Sequence, residues 1–167
     1  MSTASFLWHY TIGQNFQFIV ADKAIKPSTL YSGTKDWPVV WFSRNQIWES
    51  AVSKGMETPE GTWQQLTNEE LNKMGGGLYR IGVARGTAPH NWDDFVKLSG
   101  ISHAIAAGLK RTAKDKGASH KDWFASFDPV DQAKWQAVEV WENQQWVNLA
   151  HSHSNQFSRS FGVGWQS

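Results

Sequence analysis

Phe6-Leu-Trp-His-Tyr-Thr11 is the stretch on which the reading of the fold turns. Its residues are aromatic, β-branched or otherwise strand-favouring, which predicts a β-strand. Alternation along a strand sends Trp8 and Tyr10 to one side and Leu7, His9 and Thr11 to the other. Downstream, Phe16, Ile19 and Val20 recur at helical spacing, so residues 16–24 read as a short helix. Ile25-Lys26-Pro27-Ser28 is extended, because the residue before proline avoids the α region. Residues 29–37 are polar and loop-like. Pro38 leads into Val39-Val40-Trp41-Phe42-Ser43, a buried strand, and residues 45–54 read as a short helix.

The middle of the chain changes character. Residues 55–77 are weakly patterned, with a capped helix start at Thr67-Asn68-Glu69-Glu70 and a turn at Gly75-Gly76-Gly77. Leu78-Tyr79-Arg80-Ile81-Gly82-Val83 alternates as a strand, with Arg80 and Tyr79 on opposite faces. Residues 101–116 form the best helix: Ile101, Ile105, Leu109 and Ala113 recur every four residues, and Gly117 ends it. Residues 122–127 read as loop plus a short strand. Trp135–Trp141 is a strand, residues 142–145 a turn, and residues 146–149 a returning strand. Strands early and late with helices between them predict an α+β fold. The expected organisation is one domain over residues 1–150 and a polar tail over 151–167.

The 167-residue length suits a single core-bearing domain, and 40% hydrophobic against 19% charged residues excludes a disordered chain. No apolar run approaches the roughly 20 residues of a membrane helix. The opening MSTASFLWHY lacks a basic segment followed by an apolar one, which predicts no secretory leader. The absence of cysteine removes disulfides, thiolate nucleophiles and cysteine-held zinc. A cytoplasmic location fits these features. A net charge of +1 gives no global attraction to nucleic acid. Lys110, Arg111, Lys114 and Lys116 read as a solvated helix face. His151 and His153, without a partnering acid, do not make a metal site. The 11 tryptophans are the unusual feature. Some must build the core, and others suit the walls of a pocket for a flat ligand.

Two residues stand out as candidates for chemistry. His9 shares a strand face with Leu7 and Thr11; its alternative role is a half-buried histidine bonded to backbone. Glu139 lies mid-strand between Trp135, Ala137 and Trp141, where a carboxylate is costly unless something compensates it. The alternatives for Glu139 are an exposed sheet face, or an ion pair with Arg80 or a lysine.

Leu7-Trp8-His9-Tyr10-Thr11 resembles the first-strand motif of the histidine-class ADP-ribosyltransferases, the group of poly-ADP-ribose polymerases and diphtheria-type toxins. Val40-Trp41-Phe42-Ser43 resembles that family's second, aromatic strand motif, and Glu139 falls where the family places its catalytic glutamate. The chain is also similar to uncharacterised bacterial and phage proteins that share these segments with Tyr-Arg-Ile-Gly-Val and Val-Glu-Val-Trp. Tyr10 stands where the family has glycine, and Trp41 where it has tyrosine.

The resemblance implies split sheets, mixed or antiparallel, with flanking helices. It implies NAD as substrate and transfer of ADP-ribose to a protein or nucleic-acid acceptor. Glu139 is then catalytic. His9, Tyr10, Thr11, Trp41, Phe42, Ser43, Trp48 and Arg80 are the NAD-binding candidates. Arg80 suits a pyrophosphate. An inhibitor or antitoxin partner is a further implication. Two other readings stay open on the same fold: a nucleotide- or partner-binding module without turnover, and an RNA 2′-phosphotransferase, which needs several arginines such as Arg44, Arg80 and Arg85.

Overall fold

The computed structural model describes residues 5–28 and 38–152. The loop expected at 29–37, and the tail from 153 onward, lie outside them. The strands are β1 (Leu7–Ile12), β2 (Ala24–Ile25), β3 (Val40–Ser43), β4 (Gly55–Glu57), β5 (Trp63–Gln65), β6 (Leu78–Val83), β7 (His90–Asn91), β8 (Trp123–Ser126), β9 (Val130–Asp131), β10 (Trp135–Glu142) and β11 (Gln145–Asn148). The helices are α1 (Gly13–Asp22), α2 (Asn68–Met74), α3 (Trp92–Ser99) and α4 (His103–Asp115). The chain is α+β, as its pattern predicts. Seven strands form one sheet in the order β11-β10-β6-β1-β3-β8-β7, and β2-β9 and β4-β5 form two small pairs. Every pairing among these strands is antiparallel.

The register sorts side chains into two faces, because directly opposed residues point the same way. Tyr10 opposes Arg80, and Arg80 opposes Glu139. His9 opposes Ile81, which opposes Val138. One face therefore carries Leu7, His9, Phe42, Tyr79, Ile81 and Val138, and α1 closes it. There Phe16 stacks on Tyr79 with ring centres 4.2 Å apart. The other face carries Trp8, Tyr10, Trp41, Arg80 and Glu139. Helices α3 and α4 cover only its β3–β8 end, where Trp92, Phe95, Ile101 and Ala106 pack on Trp41 and Ala125.

Local chemistry explains the element boundaries. Helix α1 begins at Gly13, earlier than its apolar spacing suggests. The Gly75–Gly77 turn supplies carbonyls to its first amides: Gly13 N donates to Gly77 O (2.8 Å) and Gln14 N to Gly75 O (3.1 Å). Those amides have no partner within a helix, so the turn acts as the cap. Thr67 and Glu70 form the expected capping box. Ser102 caps α4, and Gly117, with φ of +80°, follows it. Asn143 and Gln144 both have positive φ, the geometry of a tight hairpin turn.

One expectation is corrected, and two elements are added. Residues 45–54 are not a helix; a single 3₁₀ turn, Ser50–Val52, interrupts an irregular loop. Glu49 has an extended backbone and its side chain accepts from Ala51 N, so it is the N-cap that starts this turn and no helix runs through it. Residues 55–57 and 63–65 pair as a hairpin, and Trp92–Ser99 is a helix capped by Asn91. The sequence reading assigned neither.

Candidate functional site

The pairing of β1 is lopsided. It runs along β6 from Leu7 to Ile12, but along β3 only one pair, Trp8 with Ser43, is in register. Past that pair the His9 imidazole bridges the gap, its Nδ1 lying 2.8 Å from Trp41 O. A cavity of about 250 Å³ touches Trp8, His9 and Tyr10 on β1 and Trp41, Phe42 and Ser43 on β3. Successive strand residues point to opposite faces, so a space meeting three in a row follows a strand edge rather than a face. Leu109, Ala113 and Lys116 of the α4 region close its far side.

A second cavity, about 590 Å³, meets His9, Tyr10, Thr11 and Ile12, again consecutive. Asn15, Asp22, Trp48 and Lys54 also line it. His9, Tyr10, Ala51 and Val52 border both spaces, which therefore form two lobes of one cleft along β1. The larger lobe falls within the roughly 300–1,000 Å³ of small-molecule sites.

The polar groups of the cleft are held in place. A carbonyl can only accept, so Nδ1 of His9 carries its proton and Nε2 of the neutral ring is an acceptor. Burial lowers the His9 pKa and the Trp41 carbonyl opposes that shift, leaving the neutral form favoured. Glu49 is only 2% exposed. Its carboxylate accepts from Ser43 Oγ at 2.6 Å, Asn45 Nδ2 at 2.9 Å and Ala51 N at 3.0 Å. Tyr10 donates its hydroxyl to Asn45 O; burial pushes that hydroxyl's pKa up to about 12, against the pull of nearby Arg80. Lys116 donates to Ser53 O at 2.9 Å, and burial followed by Lys54 lowers its pKa. The Trp41 indole N–H is buried and has no hydrogen-bond partner among the described residues.

The structure gathers most of the expected site residues. His9, Tyr10, Trp41, Phe42 and Ser43 line the smaller lobe, and Thr11 and Trp48 the larger. Arg80 and Glu139 line neither. Arg80 Nε donates to Glu139 Oε1 at 2.7 Å and its Nη1 donates to Gln46 O at 2.6 Å. The guanidinium carbon sits 3.8 Å from the Trp8 ring centre and 4.5 Å from that of Trp146. His9 and Glu139 thus lie on opposite faces of the sheet. Both take the alternative open to them: a backbone-bonded histidine and an ion-paired glutamate.

The carboxylate that lines the smaller lobe, Glu49, was missed. Its signal was Ser43 at a strand end with Asn45 and Glu49 close behind, obscured by reading 45–54 as helix. Trp92, Trp123 and Lys116 also line the smaller lobe and were missed. Lys116 is half-buried rather than part of a solvated face, whereas Lys110, Arg111 and Lys114 are exposed as expected. Among the described residues, no cluster of three metal-binding side chains occurs, and no helix is long and apolar enough to cross a membrane. His153 lies outside them.

No protein-family model, curated protein or solved structure matches the chain.

Proposed function

We propose that the cleft along β1 binds NAD and that the protein transfers ADP-ribose from it to a macromolecular acceptor. The observation that carries this reading is the opening between β1 and β3, bridged by His9 and walled by aromatic rings. An open strand edge offers main-chain partners to a carboxamide, and flat rings offer stacking surface. The acceptor nitrogen of His9 suits a ribose hydroxyl. In the transfer, the bond between nicotinamide and ribose C1′ breaks and its electron pair leaves with nicotinamide. The cationic ribosyl carbon is then attacked by the acceptor, which gives up a proton. A carboxylate near that carbon stabilises the developing charge. Glu49 is the cleft-lining carboxylate on which this reading relies, in place of Glu139.

The test is titration of NAD followed by tryptophan fluorescence, with nicotinamide release measured in parallel. Saturable binding weakened by His9→Ala, together with release, supports the reading; no binding overturns it. Binding without release supports a nucleotide-binding module, a reading favoured by the engagement of Glu139 with Arg80. The RNA 2′-phosphotransferase reading gains nothing from the arginines. Arg44 pairs with Asp122, Arg80 with Glu139, and Arg85 bonds Ser5; none borders the cleft.

A further inference from the structure

We propose that the smaller lobe is selective for a cationic group, with Glu49 as its counter-charge. The inference deepens the reading above, since the pyridinium of NAD is such a group, but its argument rests on the lobe itself.

A buried carboxylate is ordinarily paired with a cation. Glu49 is almost fully buried and makes no salt bridge with a described residue. Its three donors, the Ser43 hydroxyl, the Asn45 amide and the Ala51 N–H, are all neutral. They hold the carboxylate in place without cancelling its charge. Lys116 also lines the lobe and keeps its charge, but its ammonium is directed at the carbonyls of Ala51 and Ser53 and makes no salt bridge with Glu49, whose carboxylate is left without a direct cationic partner. The remaining walls include Trp8, Trp41, Trp92 and Trp123. Aromatic faces carry negative potential and attract cations, above all ones whose charge is spread over a ring or methyl groups. Arg80 already occupies one face of the Trp8 ring, so the Glu49 carboxylate with Trp41, Trp92 and Trp123 forms the wall suited to a delocalised or alkylated cation.

The Trp41 N–H adds a second requirement. It is a buried donor without a described acceptor, which is costly to leave unmet. An occupant with a carbonyl beside its cationic ring satisfies both groups together. A pyridinium bearing a carboxamide has that form, whereas a quaternary ammonium satisfies the charge alone.

The experiment compares 1-methylnicotinamide, a cation, with nicotinamide, its neutral counterpart, by calorimetry on the full chain. The cation is expected to bind more tightly by on the order of tenfold. Glu49→Gln is expected to bring the two to parity; its amide keeps only one of the two oxygens that accept from Ser43, Asn45 and Ala51, so its melting transition is expected to fall, and circular dichroism checks that it is folded. Filling the lobe with Leu109→Trp is expected to abolish binding of both. Equal affinity of the wild-type protein for the two compounds overturns the proposal, and this comparison holds even if Glu49→Gln does not fold. A preference that survives in folded Glu49→Gln also overturns it. NAD is titrated separately. If NAD binds but the cation has no advantage, cation selectivity falls and the NAD reading stands. If the cation is preferred but NAD does not bind, the NAD reading falls and the selectivity stands.

Discussion

Arg80 and Glu139 face each other across β6 and β10, and the guanidinium lies between the rings of Trp8 and Trp146. The Arg80 side chain is 7% exposed and that of Glu139 22%. Removing one partner from such a pair leaves a charge stranded in a poorly solvated place. Arg80→Met is expected to destabilise the protein towards the lower end of about 3–5 kcal/mol, because Glu139 keeps some contact with water. Arg80→Met combined with Glu139→Gln is expected to recover part of the loss, since no carboxylate is then left alone. Urea denaturation of the wild type, Arg80→Met, Glu139→Gln and the double variant measures both effects. Additive losses in the double variant contradict the pairing.

The same pair separates structural from cleft-facing residues. Glu139→Gln is expected to leave NAD affinity within about threefold, under 1 kcal/mol, because its carboxyl borders neither lobe. His9→Ala, which removes a group bordering both lobes, is expected to weaken binding by about tenfold. Calorimetric titration of the two variants decides. A large loss of affinity in Glu139→Gln, with the fold intact, places Glu139 in contact with the ligand and contradicts the geometry.

Acid tests the environment of His9. Burial lowers its pKa in the folded protein below the ordinary 6.5. The unfolded chain therefore takes up a proton first as pH falls, and stability drops with it. The contribution is complete above 6.5 and is lost progressively as pH falls through the lower folded-state value. His9→Gln, which cannot titrate, is expected to show a flatter dependence of melting temperature on pH between about 7 and 5. His120, also lowered in pKa by burial and by Lys110 and Lys121, remains in both proteins, so the difference reports His9. Parallel curves contradict the assignment.

The strands that make the site were legible because their residues declare them. Leu78–Val83 alternates cleanly, and it forms β6 over that range. The aromatic runs at 6–11 and 39–43 gave β1 and β3 to within a residue. Their neighbours in the sheet were not legible. That Glu139 opposes Arg80, and not His9, depends on β6 lying between β1 and β10, and pairing between distant strands leaves no local mark. Glu49 was hidden for a different reason. Residues 45–54 read locally as a helix, but the carboxylate is drawn inward by Ser43 and Asn45. A tertiary hydrogen-bond network overrode a local propensity. The resemblance grouped His9, the aromatic strand and Glu139; the first two border one cleft, whereas Glu139 is paired with Arg80 and borders neither lobe.

Gly13 and Gly108 are expected to respond oppositely to alanine. Gly13 begins α1 against the Gly75–Gly77 turn, and a Cβ there would lie 2.0 Å from Gly76 O. That atom is backbone, so relief requires the turn and the helix to part, breaking the capping bonds from Gly13 and Gln14. Gly13→Ala is therefore expected to cost at least the roughly 1–3 kcal/mol of an overpacked site. Gly108 sits inside α4, where an added Cβ would meet nothing within 4 Å. Alanine there restrains the unfolded chain without a clash, so Gly108→Ala is expected to stabilise by about 0.4–1 kcal/mol. For a chain of this size that amounts to a rise of about 1–4 °C in Tm. Thermal melts of the two variants give shifts of opposite sign. A neutral Gly13→Ala contradicts the close approach of α1 to the glycine turn, and with it the account of why β1 passes directly into a helix.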